Sequence, residues 1–193
     1  MSTAPAAPSS LSPHRRHFVR LAQYNAWFNG ELFERASKLD DAERKRDRGA
    51  FFGGIHDTLD HILLCDRGWL GRLRASSLPF SSLEGATLVE NLTDLRGGVT
   101  QDWDELVASR AETDAVLERF AAELTPELLA SDVEYRNTQG LPFKNPLWHV
   151  VAHVFNHGTH HRGQVTTLLM QAGVDPGPTD FLITAMMPFP GGD

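Results

Sequence analysis

Hydrophobic residues recur at helical spacing in four long stretches of the chain. The predicted helices cover residues 12–39, 55–73, 101–124 and 146–173. The first begins at Ser12, an N-cap residue that precedes a proline suited to the first helical position. The last ends at Gly173, because glycine readily adopts the backbone conformation that closes a helix. Four long helices in a chain of this size predict an all-α fold, a four-helix bundle.

The connecting segments carry weaker signals for short elements. Residues 40–48 form a charged connector that is compatible with a short helix, and residues 88–95 predict another short helix. The pattern of residues 133–142 predicts one or two short strands around a turn at Gln139-Gly140. We therefore expect a short β-hairpin or an extended loop before the last long helix.

Composition narrows the class of protein. The formal net charge of -7 disfavours a general nucleic-acid-binding surface, which needs clustered positive charge. Cys65 is the one cysteine of the sequence, so no internal disulfide can form. No stretch approaches the ~18 apolar residues of a membrane-spanning helix, and residues 1–10, rich in Ala, Pro and Ser, lack the pattern of a signal peptide. We expect a cytoplasmic protein with a disordered tail over residues 1–10 and one domain over residues 11–193, with neither nucleic acid nor membrane as a partner.

Histidines are concentrated in the last long helix. Of nine in the chain, five fall between His149 and His161. His157 and His161 are one turn apart within the apolar stripe of the helix, whereas His149, His153 and His160 fall toward its edge. Two inward imidazoles at this spacing are typical of a site that binds one metal ion. Core histidines that are hydrogen-bonded internally are the alternative, and the absence of the glutamate of an HExxH motif argues against a zincin-type protease.

A third ligand is expected from the second long helix, which offers His56 and His61. Neither histidine lies at the centre of the apolar stripe of that helix, so the periodicity leaves both open. Small residues surround His61 and leave room for a pocket. Cys65, one turn beyond His61, is a candidate ligand or a buried inert thiol. Asp57, one turn before His61, is a candidate ligand or a solvated carboxylate.

Three segments of the chain resemble motifs of the DinB family. Residues 149–165 end in the run His-His-Arg-Gly-Gln-Val, and residues 55–70 carry a histidine followed by Asp-Arg and Trp-Leu. Residues 24–27 read Tyr-Asn-Ala-Trp, which is similar to the family's first-helix motif. The resemblance covers roughly residues 11–180, and the combination of the three motifs is specific.

The resemblance implies a four-helix bundle of the DinB/YfiT type in which three histidines bind one divalent metal ion. By motif position these histidines are His61, His157 and His161, so the resemblance selects the pair that the helical periodicity selects and adds His61. It also implies a homodimer, because family members often form one.

The same resemblance implies a class of chemistry. Three histidines that leave open coordination positions are typical of a catalytic metal site, which activates a bound water or thiolate. Relatives in the wider superfamily use low-molecular-weight thiols. We therefore expect a divalent-metal-dependent enzyme of thiol S-transferase or hydrolase type, acting on a small molecule, with Zn, Ni or Fe as the metal ion and a low-molecular-weight thiol as a candidate cofactor. The alternative is a non-catalytic metal-binding protein of a DNA-damage-inducible stress response.

Residues close to the predicted ligands are candidates for supporting roles. Gln164 lies near the His157 face of its helix and is a candidate to orient a ligand histidine. Tyr24, Asn25 and Trp69 are candidate walls of a pocket beside the metal ion. Ordinary core packing is the alternative for each of these three residues.

Overall fold

Most of the described chain is helical. The computed structural model describes residues 12–189, and the predicted tail over residues 1–10 lies outside the described residues. The α-helices are Pro13–Ala36 (α1), Asp41–Lys45 (α2), Ile55–Arg74 (α3), Trp103–Glu123 (α4), Pro126–Ala130 (α5) and Leu147–Gln171 (α6), and the strands are Asp132–Arg136 (β1) and Pro142–Pro146 (β2). Helices α1, α3, α4 and α6 are the four long helices that the periodicity predicts, so the all-α prediction is confirmed. Within residues 12–189 no helix is long and apolar enough to cross a lipid bilayer.

Side-chain caps fix where several helices begin. Ser12 Oγ accepts a hydrogen bond from the Arg15 amide at 3.3 Å, as its N-cap position requires. Thr125 Oγ1 accepts one from the Leu128 amide at 3.2 Å, and Pro126 occupies the first turn of α5. Helix α5 is too short to produce a hydrophobic period, and the periodicity therefore does not predict it.

Two hydrophobic clusters fill the bundle, one toward each end. The cluster next to the hairpin includes Phe18, Leu117, Phe120, Val151 and Phe155. The cluster at the other end includes Leu32, Leu59, Leu63, Leu106, Val165 and Leu169. Buried polar side chains lie between the two clusters: Asn25, Asn29, Asp66, Arg110, Asp114 and Arg162. The histidine-rich part of α6 lies at the level of this polar layer.

The prediction of a short helix over residues 88–95 is wrong. The segment is irregular, with bends at residues 90, 91 and 95, and lies against α3, where the Val89 amide donates to the Arg67 carbonyl at 3.2 Å. Gly71 permits this approach, because a Cβ atom there would meet the Val89 carbonyl oxygen at 2.2 Å. This irregular path brings the Leu95 carbonyl to His61, on the face of α3 that holds the candidate site.

The predicted hairpin is confirmed and leads directly into α6. Its strands pair antiparallel, with Tyr135 opposite Phe143 and Val133 opposite Asn145. Gly140 in the turn has φ 77°, a conformation that a side chain would disfavour. The hairpin therefore packs beside the first half of α6, and it brings Tyr135 and Asn145 to the α3–α6 seam.

Candidate metal centre

Helices α3 and α6 run in opposite directions and bring three histidines and one cysteine together. The ring centroids of His61 and His157 lie 5.2 Å apart, and those of His61 and His161 lie 4.7 Å apart. The Nε2 atoms of His157 and His161 are separated by 3.1 Å, and Cys65 Sγ lies 3.5 Å from His61 Nε2. Ligand atoms of His61, Cys65 and His157 all lie within 4.8 Å of one another, so this group can hold a metal ion.

Hydrogen bonds on the far side of two rings set the direction of their ligand atoms. The Leu95 carbonyl lies 2.9 Å from His61 Nδ1, so Nδ1 carries the proton and Nε2 keeps its lone pair. Gln164 Oε1 lies 2.8 Å from His161 Nδ1 and has the same effect on that ring. In both residues the free lone pair therefore lies on Nε2, the nitrogen that faces the cluster. This arrangement is typical of metal-binding histidines, whose second nitrogen donates to an oxygen.

Burial makes the three imidazoles weak bases. Burial first, with a further effect of neighbouring histidines, lowers the pKa of His61 to about 4 and that of His157 to about 3. Burial also lowers the pKa of His161, although the hydrogen bond to Gln164 opposes this effect. All three rings are neutral at pH 7, and neutral imidazole is the form that binds a metal ion.

Burial has the opposite consequence for Cys65. It raises the pKa of the thiol to about 12, and the charge of Asp66 adds to the rise while that of Arg72 opposes it. A metal ion that binds Cys65 has to displace the thiol proton, whereas the neutral imidazoles already offer lone pairs. Cys65 can therefore join His61 and His157, the two histidines that share its group, only with loss of its proton.

The spacing of the imidazole nitrogens fits a single divalent ion. Two nitrogens bound to one tetrahedral zinc ion at about 2.0–2.1 Å lie about 3.3 Å from each other. The Nε2 atoms of His157 and His161 lie 3.1 Å apart, close to that value. Zinc, nickel and iron all accept imidazole ligands, so the donor set fits each of the three metals.

An aromatic ring and one cavity border the cluster, and a second cavity lies farther along the seam between α3 and α6. Phe52 stacks on the His61 ring at 3.9 Å and meets His161 edge-on at 5.6 Å. A cavity of about 180 Å³ touches His61 beside the loop that follows Leu95, and its walls include Asp57. A second cavity, of about 160 Å³, is lined by Trp69, Tyr135, Asn145, His149, Val150 and His153. A small molecule can therefore approach the cluster through the cavity that His61 lines, whereas the second cavity reaches His153, whose ring lies 6.0 Å from that of His157.

The other candidate residues occupy two different places. Trp69 lies two turns beyond His61 and lines the cavity of about 160 Å³. Tyr24 is buried, and its hydroxyl donates to the Thr179 carbonyl at 2.6 Å. Asn25 lies in the polar layer of the bundle, where its amide donates to Asp114 at 2.8 Å. The structure thus places Trp69 against His153, next to the cluster rather than in contact with it, and places Tyr24 and Asn25 in the interior of the bundle.

The two histidines of α3 have separate environments. His56 is fully buried, its Nε2 lies 3.0 Å from the Thr100 carbonyl, and its ring lies 6.0 Å from the ring of Trp103. His61 is the α3 histidine that joins the cluster, together with Cys65. Gln164 contacts His161 directly rather than His157.

Several contributors to the site give no recognisable signal in the sequence. The Leu95 carbonyl is a backbone group, which any residue would supply, and the periodicity wrongly predicts a helix for the segment that positions it. Phe52 lies in a glycine-rich connector without a period. Tyr135 and Asn145 lie on the hairpin, and only the way the hairpin packs on α6 brings them to the cavity.

Comparisons with known proteins match nearly the whole of the described chain. A family model described as "DinB family" matches residues 11–189. The chain is 27% identical over 164 residues to "Protein DinB" of Bacillus subtilis (strain 168), which covers 84% of this chain and 90% of that protein. No solved structure matches the chain.

Proposed function

The chain belongs to the DinB family, and on this basis we propose that it is a divalent-metal-dependent enzyme whose ion is held by His61, His157 and His161. The observation that carries the proposal is the 3.1 Å approach of two Nε2 atoms, with Gln164 on the opposite nitrogen of His161. In metal-free protein this distance is that of a hydrogen bond from His157 Nε2 to His161 Nε2, and a divalent cation that displaces this proton would be shared by the two nitrogens. Three protein ligands leave a position for water or substrate, as catalytic sites do.

The residues around the cluster have separable roles in this proposal. The Leu95 carbonyl and Gln164 hold two rings in the ligand orientation, and Phe52 excludes water from one face of His61. The cavity of about 180 Å³ that His61 lines gives a small molecule access to the cluster. A divalent ion bound there would supply Lewis-acid chemistry, which makes a water or thiol nucleophilic at neutral pH. Thiol S-transfer and hydrolysis are the two reaction classes that this chemistry serves.

A second candidate is a non-catalytic metal-binding protein of a stress response, and the position of Cys65 favours it. Its Sγ lies 3.5 Å from His61 Nε2, close enough for the thiolate to serve as a fourth ligand. Three histidines and one thiolate would complete a tetrahedral shell, as in structural zinc sites. The role of Cys65 therefore separates an open site from a closed one.

Metal content measured on untagged protein tests the proposal. We expect about one zinc, nickel or iron ion per chain in the wild type, since one cluster offers one set of ligands. The double substitution His157→Ala, His161→Ala should abolish binding, and His61→Ala should reduce it strongly. His56→Ala is the matched control on α3 and should keep the metal ion.

The outcomes distinguish the two candidates. Cys65→Ser should retain the metal ion if the site is open and should lose most of its affinity if the thiolate is the fourth ligand. Thiol-transfer and hydrolysis substrates are then compared on metal-loaded wild type and on the double variant, and equal turnover would refute the enzyme assignment. Absence of metal in the wild type, even after incubation with divalent ions, would refute both candidates. The cytoplasmic location, the homodimer and the thiol cofactor stay predictions.

A further inference from the structure

A cavity with charged walls lies beside His61, on the side of the cluster that faces the loop after Leu95. Its volume is about 180 Å³, and His61 and Phe52 are both part of its lining. Phe52 also meets the His161 ring edge-on at 5.6 Å. The cavity therefore adjoins the candidate metal centre directly, and its other walls decide what kind of molecule can lie there.

Asp60 holds one wall of this cavity in place. Both of its carboxylate oxygens accept from the Val99 amide at 2.9 Å, and the Thr100 amide also donates to it. Gly98 lets the loop come this close, because a Cβ atom there would meet Asp60 Oδ2 at 2.1 Å. The Asp60 carboxylate is therefore used in binding the backbone of the loop, and its negative charge is compensated by amide groups.

Two opposite charges on the walls of the cavity have no such partners. The guanidinium carbon of Arg96 lies 4.4 Å from the centre of the Phe51 ring, and Asp57 lies in the first turn of α3. Among residues 12–189, neither the Arg96 guanidinium nor the Asp57 carboxylate makes a hydrogen bond or an ion pair. The two groups also do not pair with each other, although they line the same cavity. These walls therefore suit a ligand that carries both charges.

The volume of the cavity limits the size of that ligand. A protein cavity of about 150 Å³ holds benzene, so a cavity of this size takes a molecule of about six to eight non-hydrogen atoms. An α-amino acid with a short side chain has this size and carries a carboxylate and an ammonium group on one carbon atom. A guanidinium binds a carboxylate through two parallel hydrogen bonds, and a carboxylate accepts charge-assisted hydrogen bonds from an ammonium group.

We infer that this cavity binds the zwitterionic head of a small α-amino acid, with the carboxylate at Arg96 and the ammonium group at Asp57. Its side chain then points toward His61, the residue that the cavity shares with the cluster. That a thiol on this side chain reaches the metal ion rests on the proposed function. The binding of the two charged groups does not, because neither Arg96 nor Asp57 belongs to the cluster.

Titration of the metal-free protein with four probes, followed by NMR chemical shifts, tests the inference and detects weak binding. L-Cysteine and L-α-aminobutyrate carry both charges, cysteamine lacks the carboxylate, and β-mercaptopropionate lacks the ammonium group. We expect cysteine and α-aminobutyrate to bind at least about tenfold more tightly than either singly charged probe, because each charge adds its own charge-assisted hydrogen bonds.

Two variants separate the two charged contacts. Arg96→Met should reduce the affinity for cysteine to that for cysteamine, and Asp57→Asn should reduce it to that for β-mercaptopropionate. Arg119→Met and Asp104→Asn, at exposed positions of α4, are the matched controls and should bind cysteine as the wild type does. Asp104 lies in the first turn of its helix as Asp57 does, so this control accounts for the effect of a lost first-turn charge on the helix.

The outcomes distinguish this inference from the proposed function. Equal affinity for all four probes, or a preference for cysteine that both Arg96→Met and Asp57→Asn retain in full, would overturn the inference. Loading the protein with zinc should strengthen the binding of cysteine but not that of α-aminobutyrate, because only a thiol can bind the metal ion. A preference for the amino acids without this gain for cysteine would contradict thiol activation at the metal centre and leave the assignment of the cavity intact.

Discussion

At the scale of single residues, the site depends on what each imidazole does with its outer nitrogen. The Leu95 carbonyl fixes the tautomer of His61, and Gln164 fixes that of His161. The Gln164 amide nitrogen in turn lies 3.4 Å from His160 Nε2, so the orientation of the glutamine is itself supported. Burial then keeps the rings neutral. Ligand direction and ligand charge therefore have different causes, and they can be tested separately.

Metal-free protein is expected to lose stability as the pH falls below about 6.5. The pKa is about 4 for His61 and about 3 for His157 in the folded chain, against 6.5 for an ordinary histidine. Between these values the unfolded chain binds more protons, so the free energy of unfolding decreases on acidification. Between pH 7 and pH 5 the histidine contribution should fall by about 2 kcal/mol, allowing for solvent screening of the partly exposed His157, and the raised pKa of Asp114 should offset part of this fall. Urea denaturation in the presence of a chelator measures this loss.

The comparison with two variants isolates the histidine contribution. His157→Gln should flatten the dependence of unfolding free energy on pH, because glutamine does not titrate. His14→Gln, on the exposed face of α1, should leave the dependence as it is in wild type. The same slope in wild type and in His157→Gln would mean that the folded chain does not depress the pKa of His157.

The ligand residues are more predictable from sequence than the groups that orient them. Helical spacing identifies His157 and His161, because a period of one turn directly reports a shared face. His61 needed the family resemblance, since the apolar stripe of α3 is centred on neither of its histidines. The Leu95 carbonyl could not be predicted at all, because any residue type supplies the same backbone oxygen and only the path of the chain decides where it lies.

At the scale of elements, residues 88–95 between α3 and α4 show why a helical hydrophobic pattern can predict a helix that does not form. Leu88, Leu92 and Leu95 have helical spacing, but the chain there is irregular, and of the three only Leu92 is buried. Gly68 and Gly71 supply the reason, since side chains at these positions would collide with Leu92 and with the Val89 carbonyl. The two glycines form a notch on α3. The packing of the segment into this notch overrides the helical spacing of its own leucines. The long helices have no such competitor, and their period predicts them within about three residues.

Filling this notch should damage both stability and the site. Gly71→Ala places a Cβ atom 2.2 Å from the Val89 carbonyl oxygen, a backbone atom that moves only with its segment. We expect a loss of about 1–3 kcal/mol in the free energy of unfolding, as for other overpacked positions. Displacement of the segment should also move the Leu95 carbonyl from His61 and weaken metal binding. Urea denaturation and metal titration measure the two effects.

A second glycine provides the control for that substitution. Gly30 lies within α1, and a Cβ atom added there would meet no other atom within 4 Å, so Gly30→Ala should stabilise the helix by about 0.5–1 kcal/mol. If Gly71→Ala were as stable as Gly30→Ala and bound metal as well as wild type, the notch would not determine the path of the segment.

At the scale of the whole molecule, a buried charged layer ties the four long helices together. Arg110 on α4 donates to Asp66 on α3 and to Asp114 on α4, each at 2.7 Å. Asn25 on α1 donates to Asp114 and accepts from Arg162 on α6. The layer has no net charge, because its two cations, Arg110 and Arg162, match its two carboxylates, Asp66 and Asp114. Because Asp66 follows Cys65 and Arg162 follows His161 in the sequence, the layer sets the relative position of the two helices that form the metal centre. The sequence alone does not reveal this layer, because it does not distinguish a buried charged residue from an exposed one.

Removal of the central cation should therefore destabilise the entire bundle. Arg110 is 3% exposed, so Arg110→Met would leave Asp66 and Asp114 buried with less compensation. We expect a loss of about 3–5 kcal/mol in the free energy of unfolding at pH 7, as when one partner of a buried ion pair is deleted. Urea denaturation measures the loss, and Lys45→Met, which breaks an exposed pair with Asp41 on α2, is the control that should change little.

The pH dependence of the unfolding free energy of Arg110→Met provides a further test. Burial already raises the pKa of Asp114 to about 6, with Arg110 opposing the rise. Without Arg110 the pKa of this carboxyl should rise further, so that it becomes neutral in the folded chain at mildly acidic pH. Because the unfolded chain protonates the group only near 3.8, the deficit of Arg110→Met relative to wild type should shrink between pH 7 and pH 5. A deficit that stays constant over this range would mean that the lost stability comes from packing of the arginine side chain rather than from the charges it balances.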